Sequence, residues 1–393
     1  MIRLALACVF TAILLLANTH AERVLSDESK VTLWTIGPGD ELYAAFGHSA
    51  LRIVDPVLGL DRIYNFGTFD FATPNFYWRF MHGDLDYFLT AAITPELMAE
   101  YRAHHQLVIE QELNLTPMER DRLFLAMEKN LEPENAAYRY DFVRDNCTTR
   151  IRDAVARVVS IDWRAPEKTD RTLRQMVQPY VADRPAIKTG INLLFGANTD
   201  KIVTSQGAMF LPEEMKLAFD QAVIRDGSTS KKLVAKTTTL LDGPKLHTPA
   251  FNSPALLTSI TAAIALLTLL TQKICWPRWV DVLLLSCIAM AGCLVAFLWF
   301  GTRHWVLQNN GNLFWLWPTH LVIWFFSREF QRYYWSIYAV AVAICLAANL
   351  RFGWNSDQIS IIGLQLLVLC RALDLRRNFD NRRAQAAPLA SPG

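Results

Sequence analysis

Between Ser253 and Ser327 the chain carries only four charged residues, Lys273, Arg278, Asp281 and Arg303. A stretch this long and this poor in charge suits hydrocarbon better than water. Lengths close to a bilayer's thickness mark five segments, near residues 254–272, 280–300, 306–327, 333–350 and 355–371. The third contains Pro318 and the fifth begins polar, so these two depart from the simple pattern. Flanking charges set the direction. With the preceding domain outside, the inner loops hold Lys273, Arg278, Arg328 and Arg332, and a tail adds Arg371, Arg376, Arg377, Arg382 and Arg383. Only Arg303 and Arg351 fall to the outer loops, in agreement with the positive-inside rule. The expectation is an all-α transmembrane domain of about five helices over 254–371, followed by a cytoplasmic tail over 372–393. A six-helix count that retains the N-terminal segment gives the same sidedness.

That N-terminal segment, residues 1–21, has Arg3, an apolar run from Leu4 to Ala17, and small residues at Thr19 and Ala21. It reads as a secretory signal, cleaved after Ala21 or kept as an anchor, so the domain beyond it is exported. Residues 22–225 look globular and mixed α/β. Alternating runs at Ala50–Val54 and Arg62–Phe66 flank a turn at Asp55–Gly59 and predict a hairpin. Thr116, Pro117 and Glu119 fit a helix-opening capping box with proline at the first helical position. Residues 226–253 are polar, broken by Gly and Pro, and read as a linker. With 52% apolar and 19% charged residues the chain is not disordered, and a net charge of +2 gives no reason to expect a nucleic-acid partner.

Six of the seven cysteines lie in apolar segments, where cysteine packs as a small hydrophobe. Cys147 stands alone in the polar part, which excludes a disulfide framework there. The residues before it alternate at Tyr138, Tyr140 and Phe142 like a strand, and those after it repeat at Ile151, Ala154, Val155 and Val158 like a helix face. Asp145 or Asn146 would cap that helix and put Cys147 in its first turn. A thiol there has a lowered pKa, and the same unpaired N–H groups can hold an oxyanion. An inert cysteine at a helix start is the competing reading.

A nucleophilic thiol needs a base held by a third group. His48, at the head of an apolar strand, is the best placed. His82 falls in a loop and His104 and His105 on a polar helix face, and no histidine shows metal-ligand spacing, so no metal or organic cofactor is indicated. Asn65, on the partner strand of the hairpin, or Asp70 could orient the imidazole. The aromatic cluster from Phe66 to Phe80 reads mostly as core, with part of it suited to a membrane surface, and Met209–Pro212 as packing. His304, in a polar outer loop rich in asparagine, is either a snorkelling residue or part of a cover over a lipid headgroup.

The runs GDELYAAFGHSALRI, YNFGTFDF followed by PNFYWRFMHGDLDYFL, and DFVRDNCTTRIRD resemble the bacterial Lnb family with its N-terminal periplasmic domain. TDKIVTSQGAMFLPEEM and HWVLQNNGNLFWLWP also look like features of that family. The family is similar to permuted papain-like (NlpC/P60-like) thiol enzymes, in which the histidine strand precedes the cysteine helix. The resemblance implies an α+β periplasmic domain and a lipoprotein N-acyltransferase of the inner membrane. Its acyl donor would be a phospholipid and its acceptor the diacylglyceryl cysteine of a lipoprotein. Cys147 and His48 would be its catalytic pair, with Asn65, Asp70, Asn146 and His304 as candidates for support. A membrane-tethered cysteine peptidase or amidase, or a non-catalytic sensor, would use the same domain differently.

Overall fold

Lys30–Ile36 (β1) is buried on both faces from Val31 onward, as befits an interior strand. In the computed structural model, which describes residues 23–165, 167–227, 229–243, 253–271, 277–352 and 359–386, the chain divides into two compact units. The predicted signal segment lies outside the described residues. The first unit takes the chain up to Pro74, then residues 85–169 and 204–245.

The predicted hairpin forms from His48–Asp55 (β2) and Leu60–Thr68 (β3), with Asp55 paired to Leu60. Asp86–Ala92 (β4), Val108–Leu113 (β5), Ala137–Arg139 (β6) and Val234–Leu241 (β7) complete an antiparallel sheet in the order β7-β5-β1-β2-β3-β4-β6. Thr94–Ala103 (α1) places Tyr101 in a core cluster with Trp34, Ile36, Ala50, Ile63 and Val108. Pro117–Leu131 (α2) opens with the capping box of Thr116 and Glu119. Cys147–Val158 (α3) buries Ile151, Ala154 and Val155 and packs on β2 and β3. Pro212–Gln221 (α4) packs on β1 and α3.

The expected linker over 226–253 needs correction, because β7 occupies part of it. The Thr- and Lys-rich run pairs with β5 (Thr238 opposite Glu110) at the sheet's edge, where polar side chains protect an exposed strand. Its composition hid the strand.

The second unit gathers residues 75–84, 170–203 and the C-terminal part. Four long helices dominate it: Ser253–Thr271 (α5), Arg278–Phe300 (α6), Arg328–Phe352 (α7) and Ile359–Ala386 (α8). Two of them, α6 and the Arg328–Leu350 part of α7, are long and apolar enough to cross a membrane. The expected third spanning helix over 306–327 does not form. Instead the chain makes four short 3-10 turns, at Trp305–Leu307, Gly311–Phe314, Pro318–Leu321 and Ile323–Phe325.

The reasons are local. Pro318 interrupts the helical ladder, and Asn310 and Asn312 turn their side chains on the backbone. This segment runs back along α6. The Leu316 carbonyl passes so close to Gly292 that a methyl there would collide, and the Arg278 guanidinium lies 5.7 Å from the Trp324 ring. Irregular backbone at membrane depth is tolerated when protein buries it. Trp315, Leu316, His320 and Ile323 are buried, the Tyr338 hydroxyl donates to Trp315 O (2.8 Å), and Tyr334 Oη lies 2.7 Å from His320 Nδ1.

The tail boundary at 371 also moves. α8 continues to Ala386, and Arg371 is buried against Asp281 rather than serving as a free tail charge. An arginine chosen for its charge by the positive-inside count is here an internal ion-pair partner.

Candidate active site

Cys147 is the first residue of α3, and Asn146 is the cap. Asn146 Oδ1 accepts from the N–H groups of Thr148 (3.0 Å) and Thr149 (2.9 Å), while the Thr149 hydroxyl accepts from Asn146 N–H (2.8 Å). The Asn146 amide also donates to Phe142 O (2.8 Å) and Phe210 O (2.9 Å). Asn146 is thus bound on every side to backbone and to Thr149, and its work is to fix the start of the helix. Asp145, the other candidate cap, forms a two-pronged pair with Arg150 (2.6 and 2.8 Å).

His48 opens β2. Extending the hairpin register from the Leu51–Tyr64 pair sets Asn65 opposite Ala50, diagonal to His48. Asn65 Oδ1 lies 3.2 Å from His48 Nε2. The imidazole and the Cys147 thiol attract each other, which favours the charged form of each. Burial alone would raise the Cys147 pKa. The His48 charge and hydrogen bond, the Ser49 N–H and the Thr148 hydroxyl outweigh it and bring the thiol down to about 7. For His48, burial opposes the charged form, but Cys147, the Asn65 hydrogen bond and Glu100 raise its pKa overall.

Both shifts favour a thiolate facing an imidazolium. Such a pair supplies a nucleophile near neutral pH and a proton for a leaving group. Thr148 Oγ1, 3.6 Å from the sulfur, ties the helix to β2 through a hydrogen bond with Ser49 Oγ (3.3 Å). Ser49 and Thr148 carry no signal in the sequence, because their roles depend on the packing of α3 on β2.

The structure therefore brings Cys147, His48 and Asn65 together and puts Asn146 behind them. Asp70 stands apart, exposed, with its carboxylate accepting from Ala72 N–H (2.8 Å) in a local turn. His304 belongs to the second unit. Its Nε2 lies 3.1 Å from Phe80 O, and the neighbouring Arg303 N–H donates to His82 O (2.9 Å), so this corner is fastened to the short helix Phe76–His82.

The outer-loop asparagines also have internal work. Asn310 donates to Leu193 O (2.9 Å) and Leu194 O (2.8 Å), and Asn312 donates to Leu193 O (2.9 Å). These carbonyls end the helix Pro185–Leu194 and would otherwise lack partners. The aromatic cluster divides. Phe66 and Phe76 are buried, whereas Tyr77, Trp78 and Phe80 are exposed, with Trp78 5.9 Å from the Phe297 ring of α6. Met209, Phe210 and Leu211 are core.

A family model described as the Lnb N-terminal periplasmic domain matches residues 18–178, and one described as the Lnb transmembrane domain matches residues 243–378. No curated protein and no solved structure matches the chain.

Proposed function

Because the chain belongs to the Lnb family, with its periplasmic domain joined to a transmembrane one, we propose that it is a lipoprotein N-acyltransferase of the bacterial inner membrane. The observation that carries this reading is the thiol–imidazole–amide set of Cys147, His48 and Asn65 in a chain with a membrane-spanning unit. The order of the histidine strand before the cysteine helix supports a permuted papain-like lineage for the first unit.

In the first half-reaction the Cys147 thiolate attacks the carbonyl carbon of a phospholipid acyl ester. A C–S bond forms, and the carbonyl electrons move to oxygen. The Cys147 N–H is placed to donate to that oxyanion, since Asn146 already holds the N–H groups of Thr148 and Thr149 and the Arg150 N–H bonds to Asn146 O. Collapse breaks the ester C–O bond, and the imidazolium of His48 protonates the departing lysophospholipid hydroxyl. In the second half the neutral imidazole takes a proton from the α-amine of a lipoprotein's diacylglyceryl cysteine. The amine displaces Cys147 and becomes an amide, and the thiolate returns. Asn65 holds the imidazole in one orientation through both halves. Both substrates live in a membrane, and a thiol tethered to spanning helices meets them at high effective concentration.

Intact-mass spectrometry of the purified protein mixed with phospholipid vesicles tests the first half-reaction. The expected result is a mass gain of one acyl chain on Cys147, removed by hydroxylamine, with one lysophospholipid formed per adduct and neither in Cys147→Ala. Failure to form adduct and lysophospholipid, in protein whose Cys147 still alkylates readily, would overturn the reading.

A further inference from the structure

Two residues beside the thiol, Gly67 and Tyr138, take no part in those two half-reactions. Gly67, at the end of β3, has φ +95°. A Cβ placed on it would stand 3.6 Å from Cys147 Cβ and 3.9 Å from the Tyr138 hydroxyl oxygen. One small volume, about the size of a methyl group, is therefore bordered by both residues, and position 67 puts no side chain into it. Its backbone conformation also discourages one.

Tyr138 is 7% exposed, and its hydroxyl is among the buried side-chain atoms without a hydrogen-bond partner. Leaving such a group unpaired forfeits the hydrogen bond it would make with water. The ring cannot turn away to find one. The Arg150 guanidinium lies 3.6 Å from its centroid, and Asp145 holds that guanidinium by two hydrogen bonds. Phe66 meets the ring at 6.1 Å in an edge-on contact. Arg150 sits three residues after Cys147 on α3, so one helical turn carries both the thiol and the clamp on Tyr138. This is a fixed donor, unpaired in the free protein, at the edge of a slot beside the candidate nucleophile.

We propose that Tyr138 is a catalytic residue, its hydroxyl donating to the oxyanion that forms when Cys147 attacks a carbonyl placed in the Gly67 slot. The assignment rests on the acyl-transfer reading and completes its oxyanion site. As the C–S bond forms, the carbonyl electron pair moves onto oxygen, which then accepts from the Tyr138 hydroxyl and the Cys147 N–H. When the intermediate collapses the pair returns to the carbon–oxygen bond and the leaving oxygen departs with the His48 proton. Tyr138 keeps its own proton throughout. Burial, with the nearby Cys147 charge, pushes the phenol's pKa upward, so the hydroxyl donates without ionising. The two donors differ in origin: one is backbone at a helix start, the other a side chain from β6.

Tyr138→Phe tests this, since it keeps the ring, the Arg150 contact and the packing and removes only the hydroxyl. The probe is p-nitrophenyl hexanoate, whose ester carbonyl needs oxyanion stabilisation but no lipoprotein. The burst of p-nitrophenolate that reports Cys147 acylation is expected to slow by roughly 10²–10³-fold, the usual effect of losing one oxyanion donor. Alkylation by iodoacetamide forms no oxyanion, so its rate and its midpoint near pH 7 should match the unsubstituted protein. A burst within about threefold of that protein would overturn the proposal. So would a parallel slowing of acylation and alkylation, which would make Tyr138 a residue that shapes the thiolate.

The controls separate the two claims. An unsubstituted protein that alkylates but shows no burst overturns acyl chemistry at this thiol and the role of Tyr138 with it. One that shows the burst but leaves lipoproteins diacylated overturns the proposed acceptor, and the Tyr138→Phe comparison still decides for or against the hydroxyl.

Discussion

His48→Ala is expected to move the alkylation midpoint of Cys147 from about 7 to above the ordinary thiol value, and to lower acyl transfer by at least about 10⁴-fold. The sign is set by the competing influences on the sulfur. Burial raises its pKa, and the His48 charge and hydrogen bond lead the influences that lower it. Alanine removes those two and leaves the burial. At pH 7 the thiolate fraction would fall from about one half to about 3% or less, by the ordinary titration of a thiol. The remaining loss comes from the proton that no residue can deliver to the leaving oxygen or take from the amine. Iodoacetamide rates across pH measure the first part, and lipoprotein acylation the second. A variant midpoint that stays near 7 would transfer the credit to Ser49 N–H and the helix start, and His48 would lose its role as counter-ion.

The second large effect concerns the stability of the transmembrane unit. Asp281 on α6 and Arg371 on α8 form a two-pronged pair at 2.7 and 2.9 Å, with side chains 4% and 3% exposed, and Asp374 bonds the same guanidinium at 2.9 Å. Asp281→Ala takes both of these carboxylate bonds from a buried cation and is expected to cost about 3–5 kcal/mol. The double variant Asp281→Leu with Arg371→Met removes both charges and should recover most of that loss, since a buried pair is often replaceable by apolar residues of similar size. Unfolding midpoints in detergent read both outcomes. A single variant as stable as the parent would mean that the pair adds nothing to the packing of α6 against α8.

Much of the first unit could be read locally. The turn at Asp55–Gly59 with alternation on either side gave the hairpin, and its register is what brings Asn65 to His48. Periodicity at Ile151, Ala154 and Val155 placed α3, and with it the thiol at a helix start. What escaped depends on distant partners. Tyr138 looks like any core aromatic until Gly67 and Arg150 converge on it from β3 and α3. The strand β7 has an edge strand's polar composition, which resembles a linker's when β5 is not in view.

In the second unit, hydropathy found the membrane region because it sums over many residues, but it does not see backbone geometry. Residues 306–327 have a span's composition and form 3-10 turns, because Pro318 and the amides of Asn310 and Asn312 decide the local hydrogen bonding. By charge alone Arg371 reads as a tail residue, and only its partner Asp281, 90 positions earlier, shows it to be internal.

The most direct test of the central claim is mass spectrometry of a lipoprotein's N-terminal peptide. The cells should lack other N-acyltransferases and carry either this protein or its Cys147→Ala variant. A third acyl chain, amide-linked to the terminal cysteine and present only with the unsubstituted protein, is the predicted result. Lipoproteins that stay diacylated, while the protein is in the membrane and Cys147 alkylates with its midpoint near 7, would contradict it.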